Sequence, residues 1–160
     1  MHSLIEPSQV LRRGASYLLL LIKAYILSYL FTHLFFMPVY VQGQSMEPII
    51  KEGTIGFSNI AGRYVFGIHR FDIVLIQRES GEIWVKRVIA LPNETIEVRN
   101  HMLYIDGKVQ TESYLPKDVY MEDFPLTTVE ENHVFVMGDN RSDSYDSRAV
   151  GSVPYEDILS

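Results

Sequence analysis

The sequence predicts a mainly β domain of short antiparallel strands carried behind one N-terminal transmembrane helix, and three observations point there. The run Ala15–Met37 is 23 residues of almost continuous apolar character. Beyond it the pattern changes to short, alternating runs rich in β-branched and aromatic residues. Charge breaks at the same place. Arg12, Arg13 and Lys23 outweigh Glu6 before Pro38, whereas 11 basic residues face 19 acidic ones after it.

A helix over Ala15–Met37 is long enough for a hydrocarbon core about 30 Å thick. Pro38 is expected to close it, because proline cannot continue the ladder of helix hydrogen bonds. Lys23 lies where its stem can reach towards headgroups, His33 near the other end, and Tyr17 and Tyr40 near the interfaces. A buried core helix is the bland alternative, but a segment apolar on all sides is rare in so small a domain. A cleaved export signal is disfavoured by the length of the run and by the lack of an A-x-A-like site after it. Arg12 and Arg13 put the N-terminus on the cytoplasmic side. The expected organisation is a cytoplasmic segment 1–14, an anchor 15–37 and an extracytoplasmic β domain 38–160.

Within that domain, 72–77, 83–91, 96–99, 102–105 and 133–137 are the predicted strands. Asn100-His101 separates two of them, and Asp106-Gly107 is a favourable type I′ turn pair. The stretch 111–131, acidic and holding Pro116 and Pro125, reads as a long connection. No segment after Pro38 has a sustained helical period.

Composition removes several functions. With 47% apolar residues the chain is not of the disordered class. A net charge of −6 argues against non-specific nucleic-acid binding. The absence of cysteine excludes thiolate metal sites, thiol nucleophiles and disulfides. The loop Gly138–Gly151 (GDNRSDSYDSRAVG) is not a calcium loop either. Counting from Asp139, Arg141 and Val150 fall where oxygen ligands are required. No metal or cofactor is implied.

Two segments carry possible chemistry. Ser45 sits in the turn-like GQSMEP just beyond the membrane exit, where a hydroxyl would be exposed, although most turn serines are only that. Lys86 lies in IWVKRVIAL, whose alternation places Trp84, Lys86, Val88 and Ala90 on one face and Val85, Arg87, Ile89 and Leu91 on the other. Each face carries a single cation, and both cations could simply reach solvent from an edge strand. In the loop, Asp146 and Arg148 could pair to fix its shape.

Taken together, Ser45-Met46-Glu47-Pro48, Phe71-Asp72-Ile73-Val74, Lys86-Arg87-Val88-Ile89-Ala90-Leu91-Pro92 and Gly138–Gly151 resemble the successive boxes of the type I signal peptidases, in that family's order and behind its anchor. The resemblance implies a membrane-bound serine endopeptidase that removes signal peptides from exported preproteins. It implies Ser45 as nucleophile and Lys86 as general base, with Ser144 orienting the lysine amine. It gives the Ser45 N–H as an oxyanion donor; where some members add a hydroxyl two residues earlier, this chain has Gly43. Asp146, Arg148, Asp139 and Arg141 would brace the loop, and Gly138 would allow a close approach to the Lys86 stem. Val39, Val41, Met46, Trp84 and Val85 would line pockets that admit small residues before the cut. A lysine serves as base only if its pKa falls by roughly 3 units, so no carboxylate should crowd it and Glu82 should point elsewhere. Phe57, Tyr64, Val65 and Phe66 could dip into the bilayer or belong to the core. Departures are Phe71, Ala90 and Asn93, which stand where glycines are common.

Relatives of the endoplasmic reticulum carry histidine at the position of Lys86, which favours a bacterial plasma membrane over the mitochondrial inner membrane. The chief alternative function is a membrane-tethered, non-catalytic β module. A Ser-His-Asp hydrolase would draw on His69 with Asp72 or His133 with Asp139. A self-cleaving repressor would need an Ala-Gly upstream of its serine, but Ala61-Gly62 lies downstream. The sequence leaves the oligomeric state open.

Overall fold

The structure is a computed structural model and describes residues 7–160. The expected segment 1–14 therefore lies partly outside the described residues, as do the side chains of Arg12 and His33. Helix α1 spans Pro7–Phe35, and its stretch Arg13–Thr32 is long and apolar enough to cross a membrane, with none of it buried in the protein. The helix stops at Phe35 rather than at Pro38. Phe36–Tyr40 forms β1, antiparallel to β2 (Ile55–Asn59), with Pro38 opposite Phe57. Proline is tolerated there because a two-stranded ribbon is all edge and one N–H can be spared. A short helix, α2 (Ile60–Phe66), follows at once, capped by the Asn59 side chain accepting from Gly62 N–H at 2.9 Å. At seven residues it is too short to show a period in the sequence.

The rest of the domain is two antiparallel sheets. One runs β10-β9-β4-β3, built from Val153–Pro154, His133–Met137, Ile83–Ala90 and Ile73–Gln77. The other runs β7-β6-β5-β8, from Lys108–Val109, Met102–Ile105, Thr95–Arg99 and Phe124–Thr128. The expected connection 111–131 thus contains a strand, β8, whose Pro125 is accommodated because β8 is a sheet edge. Asn100, His101, Asp106 and Gly107 all have positive φ, which matches the right-handed twist of tight hairpins.

Alternation along β4 and β9 builds two cores on opposite faces of one sheet. Ile89, Phe135 and Met137 pack with Ile96, Val98, Leu103 and Ile105 from the second sheet. Val88, Val134 and Val136 pack with Val74, Ile76 and Ile158 on the other face. The sheet is therefore covered on both sides, which is why its central strands read as nearly continuous apolar runs. Phe71 and Asn93 both adopt positive φ, 72° and 67°, a conformation in which a side chain costs more than glycine does. Ala90 is fully buried where β4 shifts register against β9.

Candidate active site

The central position of β4, between β3 and β9, overturns the edge-strand reading of its two cations. Lys86 is 4% exposed and Arg87 6%. Consecutive residues point to opposite faces, so each cation meets a different core and needs its own partner. Lys86 Nζ donates to Ser144 Oγ at 3.0 Å. Arg87 forms a bidentate pair with Asp139, Nε to Oδ1 at 2.8 Å and Nη2 to Oδ2 at 2.7 Å, and also donates to Phe71 O at 2.8 Å.

Ser45 lies in the loop between β1 and β2 and is half-buried. Gly43, with φ of 84°, turns the chain just before it and donates its N–H to Glu52 Oε1 at 3.3 Å. The loop is tied down from far along the chain. Asn140 N–H donates to Ser45 O at 3.0 Å, and Asn140 Nδ2 to Gln44 O at 3.2 Å. Ser45 and Lys86 open on one cleft of about 410 Å³, whose wall includes Val39, Val41, Met46, Trp84 and Val85. Among the described residues no hydrogen bond joins Ser45 Oγ to Lys86 Nζ, and none uses the Ser45 N–H.

Gly138 sits at the junction. A Cβ placed there would overlap Ser144 Oγ, Ser144 Cβ and the Ser45 carbonyl oxygen. Its three tightest neighbours are thus atoms of the two serines. The loop behind it is held by buried and half-buried polar side chains. Asp146 accepts from Gly138 N–H at 2.9 Å and from Arg148 Nε and Nη2 at 2.9 and 2.8 Å, and caps helix α3 (Ser147–Val150). Arg141 does not pair with Asp139. Its guanidinium is buried against Glu112 and bonds Gly138 O at 3.1 Å.

Burial lowers the pKa of Lys86, since desolvation penalises the ammonium form. Asp146 opposes this and Arg148 assists it. The surroundings are thus not free of carboxylate. Asp146 would itself be raised by burial, but Arg148 and the Gly138 N–H outweigh that and hold it ionised. Arg148, paired with Asp146 at 2.8 Å, offsets part of the carboxylate's pull, and burial outweighs the rest. Glu82 is exposed on the β3–β4 hairpin and is not among the groups acting on the amine.

Neither histidine reading assembles. His69 and Asp72 face each other at 3.6 Å on an exposed surface that borders a different cavity, and His133 Nδ1 lies 2.8 Å from Glu131 O. Reading the sequence missed Asn140, Arg87 as the partner of Asp139, Glu112, and Ser147, whose Oγ accepts from Val136 N–H at 3.0 Å. A signal existed for Arg87 alone. A cation on an otherwise apolar strand face implies a buried acid nearby.

A model of the family "Signal peptidase, peptidase S26" matches residues 14–160. Signal peptidase I of Bacillus amyloliquefaciens is 38% identical, over 80% of this chain and 74% of its own. Signal peptidase I T of Bacillus subtilis is also 38% identical, over 80% and 72%. The crystal structure of a signal peptidase I from Enterococcus faecalis superposes with a TM-score of 0.51 at 35% identity, covering 57% of this chain and 92% of that one. Fold and relatives together define a β-fold protease. More narrowly, the chain belongs to the signal peptidase family, peptidase S26, whose work is the removal of signal peptides.

Proposed function

We propose that Ser45 Oγ is the nucleophile of signal-peptide cleavage and Lys86 Nζ its general base. The observation that carries this is the Lys86 amine. It is buried, opens on the same cleft as Ser45, and has a neutral hydroxyl, Ser144, as its hydrogen-bond partner. A lysine kept for a salt bridge would face a carboxylate directly.

The neutral amine takes the Ser45 proton as Oγ adds to the scissile carbonyl. The Ser45 N–H, without an acceptor among the described residues, is placed to stabilise the oxyanion. The Lys86 ammonium then gives its proton to the departing amine and leaves an ester on Ser45. A water, deprotonated by Lys86, hydrolyses that ester. Ser144 steers the amine, as a hydroxyl can without fixing any tautomer. Gly43 has its own N–H turned to Glu52, so a second oxyanion donor has to come from elsewhere. Hydrogen bonds of this kind tighten when substrate is bound, which accommodates the lack of a direct Ser45–Lys86 bond.

The substrate is a preprotein segment lying extended along the cleft, with small residues before the cut set against Val39, Val41, Met46, Trp84 and Val85. Helix Arg13–Thr32 anchors the chain in the bilayer. Arg12 and Arg13 keep the N-terminus cytoplasmic and the β domain outside. The Bacillus and Enterococcus relatives favour a bacterial plasma membrane.

The test is cleavage of a preprotein by the full chain in detergent across pH. Activity requires the neutral amine. The acid limb of kcat/KM is therefore expected to rise with pH through a value below the ordinary lysine pKa of 10.5. A serine-directed acylating reagent should label Ser45, with labelling that rises along the same limb. A flat profile, or labelling that persists in Ser45→Ala, refutes the assignment. Gly138→Ala is expected to lower kcat/KM about 100-fold, because the new methyl displaces Ser45 and Ser144 together and misplacements near 1 Å cost that much. Wild-type turnover in Gly138→Ala would mean that this contact does not place the two serines.

A further inference from the structure

Trp84 is the only tryptophan in the chain, and three groups from three segments meet its ring. Arg78 holds its guanidinium carbon 4.4 Å from the ring centroid. Tyr145 meets the indole nearly edge-on, with centroids 5.7 Å apart and planes at 80°. Lys86 Nζ lies 5.6 Å from the same ring. Arg78 is fixed at the base of the β3–β4 hairpin, where its N–H donates to Glu82 O at 2.8 Å and its carbonyl accepts from Gly81 at 2.9 Å. Tyr145 lies between Ser144 and Asp146 and is 64% exposed, so burial of apolar surface does not account for its place. Neither Arg78 nor Tyr145 lines the cleft.

We propose that Arg78 and Tyr145 are positioning residues that clamp the Trp84 indole over the Lys86 amine. The proposal rests on the reading of Lys86 as the base. An indole facing an ammonium by itself would stabilise the charged lysine, which opposes a base. Here a permanently charged guanidinium already occupies the ring. The clamped ring keeps water from the amine, and that exclusion favours the neutral form. The remaining groups facing Lys86 are the Ser144 and Ser45 hydroxyls, Asp146, which favours charge, and Arg148, which opposes it. Strand β3 brings only Val74 opposite. The contact of Tyr145 with the indole is ring to ring, which phenylalanine preserves.

The test compares the full chain in detergent as wild type, Arg78→Ala, Tyr145→Ala, Tyr145→Phe and Lys86→Met, reading kcat/KM against pH and the emission of Trp84. In Arg78→Ala and Tyr145→Ala the acid limb is expected to move up by about half a pH unit or more. That is a loss of about threefold to tenfold near neutrality, recovered at high pH, with red-shifted emission. Tyr145→Phe keeps the ring and should match wild type in both readouts. If emission shifts in the two alanine variants while their limbs coincide with wild type, or if activity falls equally at every pH, the clamp is overturned. Should Lys86→Met retain activity, it is the assignment of the base that fails, whatever the other variants do.

Discussion

Lys86→Met is expected to lower kcat/KM for preprotein cleavage by about 10⁴-fold or more and at the same time to stabilise the folded protein at neutral pH. Methionine fills the lysine channel without a charge, and Ser144, which is only half-buried, can turn its hydroxyl to Asp146 or water. The stability effect follows from proton linkage. The unfolded lysine titrates near its ordinary 10.5 and the folded amine lower. Between those values the unfolded chain binds more protons, so wild-type stability rises with pH across that window. Methionine carries no such dependence. Its advantage should be full below the folded pKa and disappear as pH approaches 10.5. Initial rates, with thermal midpoints at pH 7 and pH 10 in the same detergent, check both halves. A variant that is inactive and also less stable at pH 7 would identify Lys86 as a structural cation. Ser45→Ala, which changes no buried charge, should lose activity with little change in midpoint.

The legible part of the fold was the part governed by local rules. Strands β3 to β6 and β9 follow from alternation and turn residues, and alternation assigned Lys86 and Arg87 to opposite faces of β4, although not their burial. Strands β1 and β8 were hidden by Pro38 and Pro125, which argue against a strand unless the strand is known to lie at an edge. Edge position is a tertiary fact. The site divides in the same way. Alternation put Lys86 on a mostly apolar face, but only a family resemblance joined it to Ser45 across the chain. The bond from Asn140 to the Ser45 carbonyl and the pairing of Arg141 with Glu112 depend on how distant loops pack, and no spacing in the sequence encodes either.

Arg87 and Asp139 are expected to show the largest stability effect. Asp139→Ala should cost about 3–5 kcal/mol, because it strands a guanidinium where water cannot reach it. Their side chains are 8% and 0% exposed. The guanidinium also bonds Phe71 O and stacks over the Tyr114 ring at 4.0 Å, so it holds β4, the entry to β3, the end of β9 and the 111–121 segment at one point. The physical chemistry of buried pairs sets a second expectation. Arg87→Met with Asp139→Leu removes both desolvation penalties and should cost much less than either single change. Chemical denaturation of the four proteins in one detergent closes the cycle, with a coupling of several kcal/mol as the expected result. Single changes that cost below about 1 kcal/mol would mean that water reaches the pair, as it does at exposed pairs. Asp139 directly precedes Asn140, whose N–H holds the Ser45 carbonyl. Asp139→Ala should therefore also lose cleavage activity in the fraction that stays folded. The double variant should regain stability without regaining full activity, because the apolar replacements fill the space but no longer fix the direction in which Asn140 approaches Ser45.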